Sequence, residues 1–289
     1  KNRMGESCDF LQYSEKFEPN VANHRDMIYT LANLNSSPYT TNNKVSIYTD
    51  GNEFFNELKE QLRKAKKYIN IEFYIFKDDG LGNEILDILV EKLSEGVEVR
   101  LLYDTVGSRL LSKNGINRLK EAGGKTGAFF PSFLKVINFN LNYRNHRKIV
   151  VVDGEVGFVG GFNVGDEYLG KDPKFGYWRD THTKIIGAAV NDLNLRFMLD
   201  WRYTTHEDID FTKYLNDDIH PYNGNLGMQI VSSGPDLSEI DEIKYGYLKM
   251  IQKAKKYIYI QSPYLILDSS LLDALKIASL SGVDVRIMI

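Results

Sequence analysis

The chain has 289 residues, of which 43% are hydrophobic and 26% charged, and its formal net charge is -3. This composition is ordinary for a globular protein large enough for two domains, and it excludes a globally basic surface that would attract nucleic acid. A single cysteine, Cys8, excludes an internal disulfide framework and a cysteine-rich metal site. No run reaches the roughly 18 apolar positions of a membrane span. Because the chain starts without Met, any membrane segment is expected upstream of Lys1.

The first segment differs from the rest of the chain in composition. The stretch Asn33–Lys44 is rich in Asn, Ser and Thr and is typical of a loop. We therefore predict an N-terminal arm or extension over residues 1–45.

A regular pattern begins after this arm. Apolar residues recur at helical spacing from Phe54 to Ala65 and predict an amphipathic helix. A strand over Tyr68–Phe76, a helix over Gly82–Ser94 and a strand over Val97–Tyr103 are predicted to follow. This helix–strand–helix–strand order favours an α/β layered sandwich.

The segment His146–Val152 predicts a strand with an unusual beginning. On a strand, His146 and Lys148 share one face and point to the same place. Asp153 and Gly154 predict a hairpin turn, so the residues Val156–Val159 should return antiparallel. The following Gly160-Gly161 pair allows a close approach of the backbone, and Asn163 then brings an amide near the strand start.

An imidazole, an ammonium and an amide at one point suit phosphoryl chemistry. Neutral His146 can attack phosphorus or move a proton, while Lys148 and Asn163 can stabilise charge on the phosphate oxygens. The pattern His-x-Lys-x4-Asp-x6-Gly-Gly-x-Asn fixes all these positions within 18 residues. No metal or other cofactor is expected, because these side chains supply the charge stabilisation and no ligand cluster stands out.

The end of the chain repeats its beginning. Lys-Ala-Lys-Lys-Tyr-Ile occurs at Lys64–Ile69 and again at Lys253–Ile258, and Gly-Val-acid-Val-Arg occurs at Gly96–Arg100 and Gly282–Arg286. We therefore predict a first lobe over 46–226 and the truncated start of a second lobe over 227–289. The chain is interpreted as a fragment of a longer two-lobed protein.

With these motifs the sequence resembles the phospholipase D superfamily, and within it the bacterial cardiolipin synthases. The runs that carry the resemblance are Asn142–Gly170, Asp104–Ser108 and Tyr177–His182, and the likeness extends from about residue 45 to the C-terminus. It implies a phospholipase D-like α-β-α layered sandwich with a mixed sheet, present as the first lobe plus the beginning of a second.

The resemblance also implies roles for individual residues. His146 would bind covalently to phosphorus or act as acid and base, and Lys148 and Asn163 would hold the phosphate. Asp153 belongs to the motif by spacing, but the strand alternation turns it away from His146, so we expect it to support the turn by hydrogen bonds. Asp180 would orient the motif histidine through its second ring nitrogen. The alternative for Asp180 is a surface charge near a turn.

The family builds one active site from two such motifs, and no second His-x-Lys-x4-Asp occurs in this chain. The other histidines, His24, His182, His206 and His220, are expected to be surface or core residues, with His182 a partial exception because it is close to Asp180. The chain therefore holds half a site and is expected to be inactive alone, unless two chains pair.

Three functions remain open from the sequence. The first is a phosphatidyltransferase that makes cardiolipin from two phosphatidylglycerol molecules through a phosphohistidine and releases glycerol. The second is a phospholipase D or phosphodiesterase hydrolase, and the third is a phosphate- or lipid-binding fragment without activity. Expected partners are phospholipids and the bacterial cell membrane surface, not nucleic acid. The stretch Ala128–Arg144 is equally compatible with lipid contact and with core packing.

Overall fold

The computed structural model describes residues 19–35, 37–129, 144–216, 224–234 and 241–289. The described helices are α1 (Pro19–Ala22), α2 (Arg25–Asn35), α3 (Gly51–Lys64), α4 (Gly80–Ser94), α5 (Lys113–Glu121), α6 (Ala189–Thr205), α7 (Glu242–Lys253) and α8 (Ser269–Leu280). The described strands are β1 (Thr40–Asp50), β2 (Tyr68–Phe73), β3 (Glu98–Asp104), β4 (Lys125–Phe129), β5 (Ile149–Val152), β6 (Val156–Gly160), β7 (Arg179–Ile186), β8 (Leu226–Met228), β9 (Tyr257–Gln261) and β10 (Asp284–Met288). Short 3-10 helices cover Asp166–Leu169 and Phe211–Tyr214.

An eight-stranded mixed sheet is the centre of the larger unit, with strand order β4-β3-β2-β5-β6-β7-β1-β8. Strands β2, β3 and β4 are parallel to one another, while β5, β6, β7, β1 and β8 pair antiparallel. This mixed α/β architecture is the fold class that the sequence predicts.

Helices cover both faces of the sheet. On one face, Phe54, Phe55, Leu58 and Leu62 of α3 are buried in a core that includes residues of α4, β2 and β5. Asp50 starts α3, because its carboxylate accepts hydrogen bonds from two backbone N–H groups of the first turn. On the other face lies α6, which contacts the central strands of the sheet.

The hairpin β5–β6 forms as the sequence predicts, but β5 is shorter than expected. It begins at Ile149, which pairs with Glu72, so His146 and Lys148 precede the strand rather than belong to it. The side chain of Asn145 accepts a hydrogen bond from the Arg147 backbone N–H at 3.0 Å. This local side-chain contact gives the backbone a partner other than a neighbouring strand, so the ladder starts later.

The prediction of loop structure up to Lys44 is wrong, because β1 already begins at Thr40. Two neighbouring strands supply backbone partners: Lys44 pairs with Ile186 of β7, and Asn43 pairs with Leu226 of β8. Asn43 is fully buried, and its amide donates to the backbone of Thr40 and Leu226. Long-range pairing therefore overrides the polar composition.

The chain divides into two compact units, residues 40–228 and a second unit that joins the chain up to Tyr39 with residues 229–289. The second unit contains the sequence repeat as α7-β9-α8-β10, in the same order as α3-β2-α4-β3. The strand register is repeated as well, since Tyr68 pairs with Glu98 in the first copy and Tyr257 with Asp284 in the second.

Candidate active site

Five segments of the sheet end at the same edge. The parallel strand β2 ends there, just before Tyr74, and β3 ends there at Asp104. The antiparallel β5 starts there, after His146 and Lys148. Because β6 and β7 are antiparallel neighbours, the end of β6 and the start of β7, with Asp180, reach the same edge. The topology therefore gathers residues from distant parts of the sequence into one site.

Side chains alternate in direction along the segment that leads into β5. Two of them, called anchors below, hold the backbone, and two others form the site. Asn145 and Arg147 point to the α6 face, where the amide of Asn145 donates to Glu72 and Arg147 pairs with Asp200 at 3.1 Å. His146 and Lys148 lie on the opposite side, as the sequence predicts from i, i+2 spacing. The two anchors fix the backbone on either side of His146.

The anchors belong to a buried polar network. Asp200 is fully buried, and it accepts hydrogen bonds from Arg147 and Arg196. Burial, followed by the charge of Asp200, raises the pKa of Glu72 well above its usual value and favours its protonated form. Glu72 also contributes to the electrostatic environment of Lys148.

His146 is exposed, and its ring stacks on Tyr74 with the ring centroids 4.0 Å apart and an angle of 22° between the planes. Removal from water on this side lowers its pKa below 6.5, and the Lys148 ammonium lowers it further, while Asp104 acts in the opposite direction. The imidazole is therefore mostly neutral at pH 7, which is the state required for attack on phosphorus.

Lys148 lies beside the same ring. Its Nζ is 5.6 Å from the centroid of Tyr74 and donates to the His146 carbonyl oxygen at 2.6 Å. Burial lowers the pKa of Lys148 to about 8, although the negative charge of Asp180 offsets part of the effect. At neutral pH the ammonium remains charged and can bind a phosphate oxygen.

Asp153 makes the hydrogen bonds that its place in the turn predicts. Its carboxylate accepts from the backbone N–H groups of Lys66, Lys67 and Tyr68 at 2.8, 2.8 and 2.9 Å. These contacts lie at one edge of the sheet, and His146 lies at the other, because the two residues are at opposite ends of β5. Asp153 therefore ties the β5–β6 turn to the start of β2.

Asn163 is buried and fastens the end of β6 to the segment after β2. Its Oδ1 accepts from the Ile75 backbone N–H at 3.0 Å, and its Nδ2 donates to the Tyr168 hydroxyl at 2.9 Å. One amide hydrogen remains beyond these two bonds, so a phosphate contact of Asn163 stays a prediction.

Gly160 and Gly161 are required by their neighbours on β7. A Cβ on Gly160 would lie 2.4 Å from the Cα of His182, and one on Gly161 would lie 1.9 Å from an oxygen of Asp180. Asp180 accepts from the Thr181 backbone N–H, and its charge acts on Lys148. Within the described residues it makes no hydrogen bond to His146, so its predicted orienting role remains a prediction.

His182 is a core residue, one of the two environments expected for it. Its ring is fully buried and stacks on Phe54 with 3.9 Å between centroids. Burial, and then the charge of Lys148, lowers its pKa to about 3. His182 and Lys184 repeat the His-x-Lys spacing, but no aspartate follows at the motif position, and Lys184 pairs with Glu57 at 2.7 Å.

Sequence reasoning missed Tyr74 and two buried charges near it. Asp104 is buried, and its Oδ2 lies 3.9 Å from the Arg144 guanidinium. Its Oδ1 accepts from the backbone N–H groups of Val106 and Gly107. Tyr74 directly follows β2 and Asp104 is the last residue of the parallel β3, and polar residues at such carboxyl ends are the signal that could have identified them.

Three further features concern lipid contact by the stretch Ala128–Arg144, metal binding and membrane-spanning helices. Most of the stretch Ala128–Arg144, as well as Cys8 and His220, lies outside the described residues. In the ranges that the structure describes, no three His, Cys, Asp or Glu side chains group to hold a metal ion. Among the described helices, none combines the length and the apolar character needed to cross a bilayer.

Comparisons with known proteins show the family of the chain. The family model described as "Cardiolipin synthase, PLD-like domain" matches residues 58–173 and 247–289, together more than half of the chain. The chain is 53% identical to the cardiolipin synthase of Oceanobacillus iheyensis over 272 residues, which cover 94% of this chain and 56% of that protein. It is also 53% identical to the major cardiolipin synthase of Bacillus subtilis over 268 residues, covering 92% of this chain and 55% of that protein.

The chain thus spans about half the length of the curated relatives that it matches. Among solved structures, the phosphatidylserine synthase of Haemophilus influenzae superposes with a TM-score of 0.65 over 90% of this chain and 64% of that chain. Its sequence is only 19% identical, so this likeness supports the fold alone.

Proposed function

The chain belongs to the phospholipase D-like family of cardiolipin synthases, and from this premise we propose that it forms part of a phosphatidyltransferase that makes cardiolipin from phosphatidylglycerol. The observation that carries the proposal is the pairing of an exposed, mostly neutral His146 with a charged Lys148 at one edge of the sheet. A nucleophile beside a phosphate-binding cation is what transfer through a phosphohistidine requires.

The proposed reaction has two displacements at phosphorus. A ring nitrogen of one motif histidine, for which His146 is the candidate in this chain, forms a P–N bond with the phosphatidyl group. The P–O bond to the glycerol headgroup breaks, and the departing alkoxide takes a proton from a general acid. The hydroxyl of a second phosphatidylglycerol then attacks phosphorus, the P–N bond breaks, and the hydroxyl proton returns to the group that acted as acid.

Lys148 stabilises the charge that develops on the phosphate oxygens in both displacements. Asn163 is proposed to assist with its remaining amide hydrogen, and Asp180 to keep the Lys148 ammonium charged. The general acid must be a second histidine-like group. We propose that this acid is supplied by sequence that corresponds to the unmatched half of the relatives, or by a second copy of this chain.

The proposed substrate, phosphatidylglycerol, resides in the bilayer, so the enzyme would act at a membrane surface. We therefore propose association with the bacterial cell membrane. The relatives named cardiolipin synthase and the family match support the choice of phospholipid as donor and acceptor.

The test uses vesicles of phosphatidylglycerol and lipid mass spectrometry. Two proteins are compared: the chain itself, and a completed enzyme in which the chain replaces the segment of the Bacillus subtilis relative that it matches. Cardiolipin with equimolar glycerol from the completed enzyme is the expected result. Phosphatidic acid as the main product would identify a hydrolase instead, and no product from the folded completed enzyme would contradict the proposal.

The matched variants are His146→Ala and His24→Ala. Both remove one exposed imidazole, but His24 lies in the second unit. We expect His146→Ala to abolish transfer, with a loss of at least about 1000-fold, because removing a nucleophile leaves only binding. Normal turnover by the folded His146→Ala protein would contradict the assigned role, and a similar loss in His24→Ala would show an effect unrelated to the site.

A further inference from the structure

The aromatic ring of Tyr74 contacts both charged partners of the site. It stacks on the imidazole of His146 at 4.0 Å between centroids, and it lies 5.6 Å from the Nζ of Lys148. We propose that Tyr74 is a positioning residue, whose ring sets the plane of the His146 imidazole and holds the Lys148 ammonium next to it. The inference rests on the proposed function for its catalytic consequence.

The backbone of Tyr74 is fixed by the loop that follows β3. The Ser108 hydroxyl donates to the Tyr74 carbonyl oxygen at 3.0 Å and accepts from the Phe76 backbone N–H at 2.9 Å. Gly107 packs directly against Tyr74, because a Cβ there would lie 2.2 Å from the Tyr74 carbonyl oxygen and 2.9 Å from its ring. The tyrosine therefore has little room to move away from His146.

The end of the His146–Asn163 motif holds Ile75, the residue after Tyr74. Asn163 accepts from the Ile75 backbone N–H at 3.0 Å, and the adjacent Val164 backbone N–H donates to the Ile75 carbonyl oxygen at 3.1 Å. The chain on both sides of the Ile75 peptide is thus held by the end of the motif. The motif that carries His146 and Lys148 also holds the segment that presents Tyr74 to them.

The ring has two physical effects on the reaction. Stacking restricts rotation of the imidazole, so the in-plane lone pair of its nucleophilic nitrogen keeps one direction relative to phosphorus. The face of an aromatic ring also attracts positive charge within about 6 Å. It can therefore favour the Lys148 ammonium beside His146.

The charged groups around the pair are Lys148 and Asp104, which act on His146, and Arg144 with Asp104, which act on Tyr74. Burial comes first among the causes that lower the pKa of His146 and raise that of Tyr74. Removing the ring would open one face of the imidazole to water. The titration of His146 thus reports on the stacking itself.

The first experiment is an NMR titration of the His146 ring in the chain as it stands. Tyr74→Phe keeps the ring, whereas Tyr74→Leu and Tyr74→Met remove it. We expect the pKa of His146 to be unchanged in Tyr74→Phe and to rise toward 6.5 in the two variants without a ring. Tyr103→Leu is the matched control, because Tyr103 is a partly buried tyrosine at the end of the neighbouring β3. An unchanged His146 pKa in both ring-less variants, with the fold retained, would overturn the proposal.

The second experiment measures phosphatidyl transfer by the completed enzyme. We expect a fall in kcat of about 10- to 100-fold for Tyr74→Leu or Tyr74→Met, with a small change in KM, because misplaced groups slow the chemical step. Tyr74→Phe and Tyr103→Leu should stay within about twofold of the unsubstituted enzyme. Equal losses in Tyr74→Phe and Tyr74→Leu would assign the effect to the hydroxyl and overturn the role of the ring. If the unsubstituted enzyme transfers nothing, the proposed function fails, while the titration still decides on the stacking.

Discussion

The charge of Lys148 depends on pH close to neutrality, since burial brings its pKa down to about 8. A lysine is charged below its pKa, so the ammonium that binds phosphate is present at pH 7 and is lost as the pH rises through 8. An exposed lysine keeps its charge up to about pH 10. The burial of Lys148 therefore limits the pH range over which its charge can bind phosphate.

We predict that the chain binds glycerophosphoglycerol more weakly as the pH rises, by up to about tenfold between pH 7 and pH 9, because the charged fraction of Lys148 falls to that extent. This phosphodiester keeps its own charge over the range, and ³¹P NMR measures its binding. The affinity of the Lys148→Arg variant for this phosphodiester should not change between pH 7 and pH 9, because a guanidinium stays charged. A flat profile in the unsubstituted chain would contradict the lowered pKa.

A second prediction at this scale concerns His182. Neither ring nitrogen has a hydrogen-bond partner among the described residues, and the side chain is fully buried beside the rings of Phe54 and Phe162. Replacing an unsatisfied polar group by an apolar one of similar shape removes a cost of about 1 kcal/mol or more. We predict that His182→Phe raises the free energy of unfolding by about 1 kcal/mol, measured with urea at pH 7.

The pH dependence of stability checks the same residue. The pKa of His182 is about 3 in the folded chain and near 6.5 when unfolded, so only the unfolded state takes up a proton between these values. Stability should therefore fall as the pH falls from 6.5 toward 3, and His182→Phe should remove this part of the slope. Equal slopes in both proteins would contradict the burial of a neutral imidazole.

The sequence predicted the motif residues but could separate their roles only in part. The place of Asp153 in the turn predicted hydrogen bonds of its carboxylate, and these form with the backbone N–H groups of Lys66, Lys67 and Tyr68. The contact of Asn163 with Ile75 joins positions 88 apart in sequence, and no local pattern indicates it. Tyr74 also could not be identified from a local pattern, because its partners His146 and Lys148 approach it only once β5 pairs with β2.

At the scale of elements, the β5–β6 turn shows how one carboxylate replaces several backbone contacts. Asp153 has a φ of 56°, a left-handed conformation that Asn and Asp tolerate better than most residues. Its two oxygens serve the backbone N–H groups of Lys66, Lys67 and Tyr68, at the point where the chain passes from α3 to β2. The turn thus satisfies donors that no strand partner reaches.

We predict that Asp153→Asn lowers the free energy of unfolding by about 2 kcal/mol, because the amide nitrogen cannot accept a hydrogen bond and leaves donors unpaired. The His146 pKa should not change, since the turn lies at the opposite edge of the sheet. Asp172→Asn is the control, because its carboxylate accepts a single backbone N–H in an exposed turn. A shift of the His146 pKa as large as that in the ring-less Tyr74 variants would show that Asp153 acts at the site itself.

The predicted elements were most accurate where apolar spacing is regular. Phe54, Leu58 and Leu62 are completely buried, and the helix that contains them has the predicted position. β1 was missed because its residues are polar and acquire their order from pairing with β7 and β8. Helix α2 was missed because its order depends on packing against a helix more than 200 residues away in sequence.

At the scale of the whole molecule, this N-terminal helix is part of the unit that contains the second repeat. The Nζ of Lys249 lies 3.1 Å from Asp26 of α2, and Lys253 bonds to the same carboxylate. Leu31 approaches Gly246 so closely that a Cβ there would lie 3.3 Å from its methyl carbon. The predicted arm over residues 1–45 therefore contains a helix that supports α7.

If Asp26 joins α2 to α7, Asp26→Asn should speed hydrogen exchange in both helices and leave the strands of the eight-stranded sheet unchanged. The two lysine contacts are partly exposed to solvent, so the difference between the two proteins should shrink as salt rises to about 1 M, where charges are screened within a few ångströms. Asp273→Asn is the matched control, because Asp273 pairs only with Lys276 on its own helix in the described part of the chain. Mass spectrometry of peptides after hydrogen exchange measures the exchange of each helix separately. Unchanged exchange in α7, or the same increase in the control, would show that packing around Leu31 and Gly246 holds the two helices together without the ion pairs.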